Sequence, residues 1–152
     1  LGDVYKRQVY TSDHGEMTGD HGILGKTVLY EEAIRVPLLL RVPALGRQQR
    51  RIRGHFSQID LLPTLLELLG EPLPDGLQGV SRVPVLAGTE TLAENSVYIQ
   101  WNERDGHPLP GEAEVNREMA TPWRSVIAPD RWKLNLSAHD QCELYDLDTD
   151  PQ

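Results

Sequence analysis

The sequence predicts an α/β fold followed by a small antiparallel sheet, and three stretches carry this prediction. Residues 36–42 (VPLLLRV) are almost continuously apolar, which is typical of a strand that is buried on both faces of a sheet. Residues 59–69 (IDLLPTLLELL) place leucines over most of a helical circumference, which predicts a largely buried helix. Residues 123–128 and 132–136 are two strand-like runs joined by the turn sequence PDR, which predicts a hairpin.

Local signals mark the other elements. Val9 and Tyr10 predict the end of a short buried strand. Asp60 is placed to cap the N-terminus of the predicted helix, and Gly70 is placed to end it. The remaining predicted segments are a short helix or turn at residues 27–34, a short helical piece at 80–87, a strand at 97–101, a long loop at 102–122 and a strand at 143–147.

The residues that promise chemistry lie in TSDHGE at positions 11–16 and in the lysine at position 26. Asp13 offers an anionic oxygen and His14 an imidazole nitrogen, and both are ligands of divalent cations. They follow the end of a predicted strand, where ligands bind in open α/β sheets. Neighbouring strand residues point to opposite faces, so both reach one ion only if the chain turns, and Gly15 supplies that freedom. Lys26 adds a compact positive charge that suits a tetrahedral oxyanion.

Taken alone, the same residues also fit a polar turn. In that interpretation Asp13 caps the turn, His14 is incidental and Lys26 is solvated, and an isolated Asp-His pair favours it. His21 could approach a pocket or serve the glycine-rich turn, and the residues leave both roles open.

The composition argues against two classes of partner. A net charge of -8, with no basic stripe, argues against nucleic-acid binding. No apolar run approaches the length that spans a membrane. Cys142 is the single cysteine, so no disulfide forms within the chain.

A series of short motifs runs along the chain. They are TSDHGEM at 11–17, GDHG at 19–22, GK at 25–26, YEE at 30–32, RVPL at 35–38, IDLLPTLL at 59–66, LQGVS at 77–81, ELYDL at 143–147 and DP at 150–151. In order and spacing they resemble the sulfatase family of the alkaline phosphatase superfamily. The resemblance covers nearly the whole chain from Val9 onward and corresponds to the later part of a full-length sulfatase.

The resemblance implies roles for the site residues. Asp13 and His14 become metal ligands, Lys26 becomes a catalytic residue that contacts the sulfate and the leaving-group oxygen, and His21 becomes a further substrate contact. The implied cofactor is a divalent cation, calcium first, although a histidine ligand leaves magnesium and manganese open. Sulfatases also use a formylglycine made from Cys or Ser in a Cys/Ser-x-Pro-x-Arg signature. Cys142 lies in QCEL and does not match, so this nucleophile is expected upstream of the chain, together with the family's early acidic metal ligands.

The implied architecture is an alkaline-phosphatase-like sheet flanked by helices, present in part, followed by a small antiparallel C-terminal subdomain. The expected boundaries are 9–90 for the α/β part and 91–152 for the subdomain. Residues 1–8 are too polar for the strand that leads into the Asp-His turn in the family, and are expected to be a non-native segment. The alternative is a genuine but divergent entry into that strand.

The implied substrate is a small-molecule or carbohydrate sulfate ester. Two alternatives remain: a phosphonate monoester or phosphodiester hydrolase on the same scaffold, and a non-catalytic fragment. The isolated 152 residues are expected to be inactive, because the nucleophile and part of the metal site are absent. Oligomeric state and compartment stay open.

Overall fold

The computed structural model describes residues 6–22, 24–46, 48–102, 122–137 and 141–150. The chain divides into two compact units. Unit 1 contains residues 1–41, 98–127 and 131–152, and unit 2 contains residues 42–97 and 128–130. No helix in the described residues is long and apolar enough to cross a membrane. The predicted loop at 102–122 lies almost wholly outside the described residues.

In the described residues, unit 1 contains two β-sheets, one of two strands and one of four. Strand β1 (Gln8–Thr11) pairs antiparallel with β2 (Leu38–Arg41), and the short helix α1 (Glu31–Ile34) precedes β2. The second sheet has the order β3-β4-β5-β6, where β3 is Val97–Trp101, β4 is Trp123–Ile127, β5 is Trp132–Ser137 and β6 is Glu143–Asp146. Strands β4 and β5 form the predicted hairpin, and β6 pairs antiparallel with β5.

Strand β1 confirms the predicted strand, but the predicted burial is wrong. Val9 is 40% exposed and Tyr10 is 67% exposed. The same holds for β2, where Leu39 is 59% exposed and burial alternates along the strand. The physical reason is that β1 and β2 form only a two-stranded ribbon in the described residues, and side chains on both faces of β1 are left exposed.

Unit 2 contains the helices α2 (Leu61–Leu69) and α3 (Val83–Ala87), and a short 3₁₀ turn at Gln58–Asp60 leads into α2. Gly70 and Gly88 end these helices in the left-handed conformation, which confirms the predicted stop at Gly70. Helix α2 is less buried than predicted, because it buries Pro63 and Thr64 while Leu62 and Leu69 face outward.

Asp60 does not cap α2, and this prediction is also wrong. Its carboxylate accepts hydrogen bonds from the Val80 N–H at 2.9 Å and from Arg82 Nε at 2.7 Å. Arg82 in turn donates to Asn95 Oδ1 at 2.8 Å, and Thr64 Oγ1 donates to the Asp60 carbonyl at 2.6 Å. A buried carboxylate requires such partners, and Arg82 offers a stronger one than a helix N–H does.

Candidate metal and anion site

The candidate residues lie on the loop between β1 and α1, and backbone hydrogen bonds fold this loop back on itself. The Met17 N–H donates to the Gly25 carbonyl at 2.9 Å, which brings the residue after Gly25 close to the start of the loop. Met17 itself is fully buried and anchors the middle of the loop. As a result, Lys26 reaches His14 across twelve residues of sequence.

Gly15 is required for close packing and not for a turn. Its N–H donates to the Ala33 carbonyl at 2.7 Å, and the Glu16 N–H donates to the Glu32 carbonyl at 3.0 Å. A Cβ on Gly15 would lie 1.8 Å from the Glu32 carbonyl oxygen, which no side chain tolerates. The loop is therefore pinned against α1 at the residue that follows His14.

The imidazole of His14 has a defined tautomer. Its Nδ1 lies 2.7 Å from the Gly15 carbonyl oxygen, which can only accept, so Nδ1 carries the proton. Nε2 is then left with a lone pair, and this lone pair accepts from the Lys26 ammonium. A ring N–H fixed on a backbone carbonyl, with the other nitrogen presented as a donor of electrons, is the arrangement of metal-binding histidines.

Asp13 presents one carboxylate oxygen beside that lone pair. Asp13 Oδ2 lies 3.3 Å from His14 Nε2, while Oδ1 accepts from the His14 N–H at 3.0 Å and from Ser12 Oγ at 3.3 Å. Partial desolvation raises the pKa of Asp13, but the hydrogen bonds from the His14 N–H and the Ser12 hydroxyl, together with the attraction of the His14 ring in its protonated form, lower it by more. The pKa of the carboxyl therefore lies below its ordinary value, and Asp13 is an anion at neutral pH.

The pair fits a divalent cation. Two ligand atoms at a right angle around an ion with bonds of ~2.3 Å are ~3.3 Å apart, which agrees with the distance between Asp13 Oδ2 and His14 Nε2. The described residues contain no cluster of three or more His, Cys, Asp or Glu side chains, so this pair supplies at most two ligands. The Asp13 side chain is 83% exposed and that of His14 is 36% exposed, which leaves room for further ligands.

His21 has a different environment. Its ring stacks on Tyr30 with centroids 4.1 Å apart and planes 5° from parallel, and its backbone adopts a left-handed conformation at φ 54°. This contact gives His21 a packing role in the loop. Its predicted contact with substrate stays a prediction.

One residue near the site carries no local sequence signal. Lys133 on β5 is buried in unit 1, where its amine donates to the Leu29 carbonyl and lies 3.2 Å from Glu31 Oε1. The only trace in the sequence is a lysine in an otherwise apolar strand start, WKL, at positions 132–134. Its partners lie more than a hundred residues earlier, so spacing could not have found them.

Comparison with known proteins identifies the family. The family of N-sulphoglucosamine sulphohydrolase C-terminal regions matches residues 19–152. The multifunctional alkaline phosphatase superfamily protein PehA of Trinickia caryophylli is 42% identical over 145 residues, which cover 94% of this chain and 28% of PehA. The chain thus spans little more than a quarter of the length of this relative.

Two solved structures share the fold. The structure of BT4656 in complex with its substrate D-glucosamine-2-N,6-O-disulfate has a TM-score of 0.78 and 27% identity, over 95% of this chain and 28% of that one. The phosphonate monoester hydrolase of Agrobacterium radiobacter has a TM-score of 0.71 and 32% identity, over 94% of this chain and 29% of that one. These likenesses confirm the predicted α/β fold with a small antiparallel subdomain. The chain therefore belongs to the sulfatase family of the alkaline phosphatase superfamily.

Proposed function

We propose that this chain is part of a sulfuric-ester hydrolase, in which Asp13 and His14 hold a divalent cation and Lys26 binds the transferred sulfuryl group. The observation that carries the proposal is the fixed tautomer of His14, with its Nε2 lone pair 3.3 Å from Asp13 Oδ2 and in contact with the Lys26 ammonium. The convergence of a carboxylate, an imidazole lone pair and an ammonium on one point favours a binding site over an ordinary polar turn.

The cation that suits these ligands is calcium first, with magnesium and manganese open because one donor is a nitrogen. When bound, such a cation polarises a sulfate oxygen and the attacking group. The formylglycine nucleophile of the family would come from residues outside this chain, since no Cys/Ser-x-Pro-x-Arg signature occurs in it.

Lys26 supplies the chemistry that belongs to this chain. Its ammonium contacts His14 Nε2 and sits on the exposed side of the loop, so a negatively charged group can reach it. A cation taking up the Nε2 lone pair would release the ammonium toward an anion. Lys26 then stabilises negative charge on the sulfuryl oxygens or on the departing alkoxide.

The proposed substrate is a sulfate ester of a small molecule or carbohydrate. Support comes from the family, which is named after N-sulphoglucosamine, and from BT4656, whose substrate is a sulfated glucosamine. The second candidate is hydrolysis of phosphonate monoesters or phosphodiesters. It is favoured by the likeness to the Agrobacterium enzyme, and a metal pair with a lysine serves either tetrahedral group.

The test is a pair of substrates with the same leaving group, 4-nitrophenyl sulfate and 4-nitrophenyl phenylphosphonate, offered with calcium to the longer protein that contains this chain. The proposal predicts the higher kcat/KM for the sulfate. A higher value for the phosphonate would replace it with the second candidate, and no turnover of either substrate would leave a non-catalytic protein.

A further inference from the structure

Lys133 places an amine in the interior of unit 1. The residue is only 2% exposed, and its Nζ lies 5.6 Å from the centre of the Tyr145 ring as well as on its two oxygen partners. Desolvation lowers the pKa of the amine, while the carboxylate of Glu31 opposes this effect. An apolar side chain of similar length would fill the same space without the cost of burying an amine. The contacts of the amine therefore define what Lys133 does.

Those contacts hold the start of α1 from both sides. Leu29 and Glu31 flank Tyr30, the N-cap residue, whose side chain makes no capping hydrogen bond. A helix of four residues is unstable by itself and needs tertiary contacts to form. Lys133 supplies such a contact from a strand that lies more than a hundred residues further along the chain.

Helix α1 in turn holds the candidate site. Its Glu32 and Ala33 carbonyls accept the N–H groups of Glu16 and Gly15. The Gly15 carbonyl then accepts a hydrogen bond from His14 Nδ1–H. A series of hydrogen bonds thus connects the Lys133 amine, through α1 and Gly15, to the imidazole of His14.

We propose that Lys133 is a positioning residue for the metal site: by fixing the start of α1 it fixes the Gly15 carbonyl, and with it the tautomer and orientation of His14. The inference rests on the proposed function for the identity of the site as a metal site. Lys133 touches neither substrate nor ion.

The experiment records the ¹⁵N NMR signals of His14 in the longer, metal-free protein, at a pH about two units above the ~6.5 of an ordinary imidazole. The spectrum of His14→Gln assigns the signals. The wild type is expected to carry the proton on Nδ1. Lys133→Met is expected to give a mixture of tautomers and to weaken calcium binding, measured by calorimetry, by about tenfold, in the range for partners beyond the ligands themselves.

Two further variants separate positioning from stability. Arg82→Met breaks the buried ion pair with Asp60 in unit 2, so it should lower the melting temperature and leave the His14 signals and calcium affinity unchanged. The double variant Lys133→Met/Glu31→Met also removes the carboxylate left without its partner, so it should be more stable than Lys133→Met. Its His14 tautomers should nevertheless stay mixed and its calcium affinity low, because the link to α1 remains broken.

A folded Lys133→Met protein with wild-type His14 signals would overturn the proposal. So would a double variant that regains the wild-type signals together with its stability, since that is the behaviour of a merely structural lysine. If neither methionine variant folds, Glu31→Ala, which removes the side-chain acceptor of the amine, carries the same readout, and unchanged His14 signals there would also overturn it. The NMR readout needs neither metal nor substrate, so an inactive wild type would refute the proposed function, while the His14 signals would still decide whether Lys133 positions the ring.

Discussion

The two units each contain an aspartate beside a basic group, and the two pairs differ in burial and in the side chain that faces the carboxylate. In unit 2, Asp60 has a side chain only 4% exposed, and its oxygens accept hydrogen bonds from Arg82 and the Val80 N–H. In unit 1, Asp13 is 83% exposed, and one of its oxygens lies beside an imidazole lone pair. The first arrangement is closed on itself and stabilises a fold. In the second arrangement, backbone hydrogen bonds hold the loop in place. The Asp13 carboxylate and the His14 imidazole lie at the surface, where a ligand can reach them.

The partners of each aspartate, and not the residue type, therefore decide its role. The sequence pattern alone makes Asp60 a helix cap and Asp13 a turn cap of equal standing. The structure separates them by burial and by the partners that surround them, because Arg82 and the Val80 N–H enclose Asp60 whereas Asp13 lies exposed beside His14.

The largest effect is expected from Asp13→Ala compared with Asp60→Ala in the longer protein. Loss of an anionic ligand removes several kcal/mol of Lewis-acid stabilisation, so kcat/KM should fall by about 10³-fold or more in Asp13→Ala, with only a slight fall in the melting temperature of the metal-free protein. Asp60→Ala strands a buried guanidinium and should cost about 3–5 kcal/mol of folding stability. Rates per folded molecule should stay at the wild-type level. An active Asp13→Ala enzyme with normal metal content would erase the distinction.

The next effect concerns Lys26, with the exposed cation of Arg51 as the control. Lys26→Ala should lower kcat by about 10²–10³-fold, as for loss of one oxyanion donor, whereas Arg51→Ala should change it little. Lys26→Arg should restore only part of the rate, because a planar guanidinium does not replace a compact ammonium. Steady-state kinetics with a poor and an activated leaving group provide the measurement. Small and equal losses for both substrates would return Lys26 to the protein surface.

A third effect compares two glycines. Gly15→Ala forces a Cβ into the Glu32 carbonyl and should cost roughly 3 kcal/mol, with loss of calcium binding. Gly70→Ala, which ends α2 in open space at φ 76°, should cost only about 1 kcal/mol and leave calcium binding intact. Thermal unfolding and calorimetric titration give both numbers. Normal calcium binding in Gly15→Ala would show that the loop does not need its contact with α1.

The smallest effect is a pH dependence at the end of β6. The Asp148 N–H and the Thr149 hydroxyl lower the pKa of Asp146 below its ordinary value of 3.8. A depressed pKa stabilises the fold above that ordinary value, and the contribution is lost as the pH falls through the folded-state pKa. Asp146→Asn should therefore lower the melting temperature slightly at neutral pH and less at about pH 3. An equal difference at both pH values would contradict the assigned cause.

The sequence predicts well what depends on local signals. The hairpin around residues 129–131 and the end of α2 at Gly70 both arise from residues close in sequence. Prediction from the sequence fails where a partner far along the chain determines the contacts of a side chain. Asp60 leaves its helix for an arginine 22 residues away, and Glu31 binds a lysine 102 residues away.

The prediction for Gly15 shows the same limit in a different way. A glycine after an Asp-His pair indicates a turn when only neighbours are considered. Its actual constraint is the backbone of Glu32, which arrives from α1 and leaves no room for a side chain. Tertiary contacts of this kind are not encoded in any local pattern.

The central claim is that Asp13 and His14 form a metal site, and diffraction tests it most directly. Crystals of the longer protein would be grown with calcium and, in parallel, with manganese, whose anomalous scattering marks its position. We expect one ion bonded to a carboxylate oxygen of Asp13 and to His14 Nε2, with Nδ1 still on the Gly15 carbonyl and the Lys26 ammonium displaced from Nε2. An ion bound elsewhere, with Lys26 still on Nε2, would contradict it.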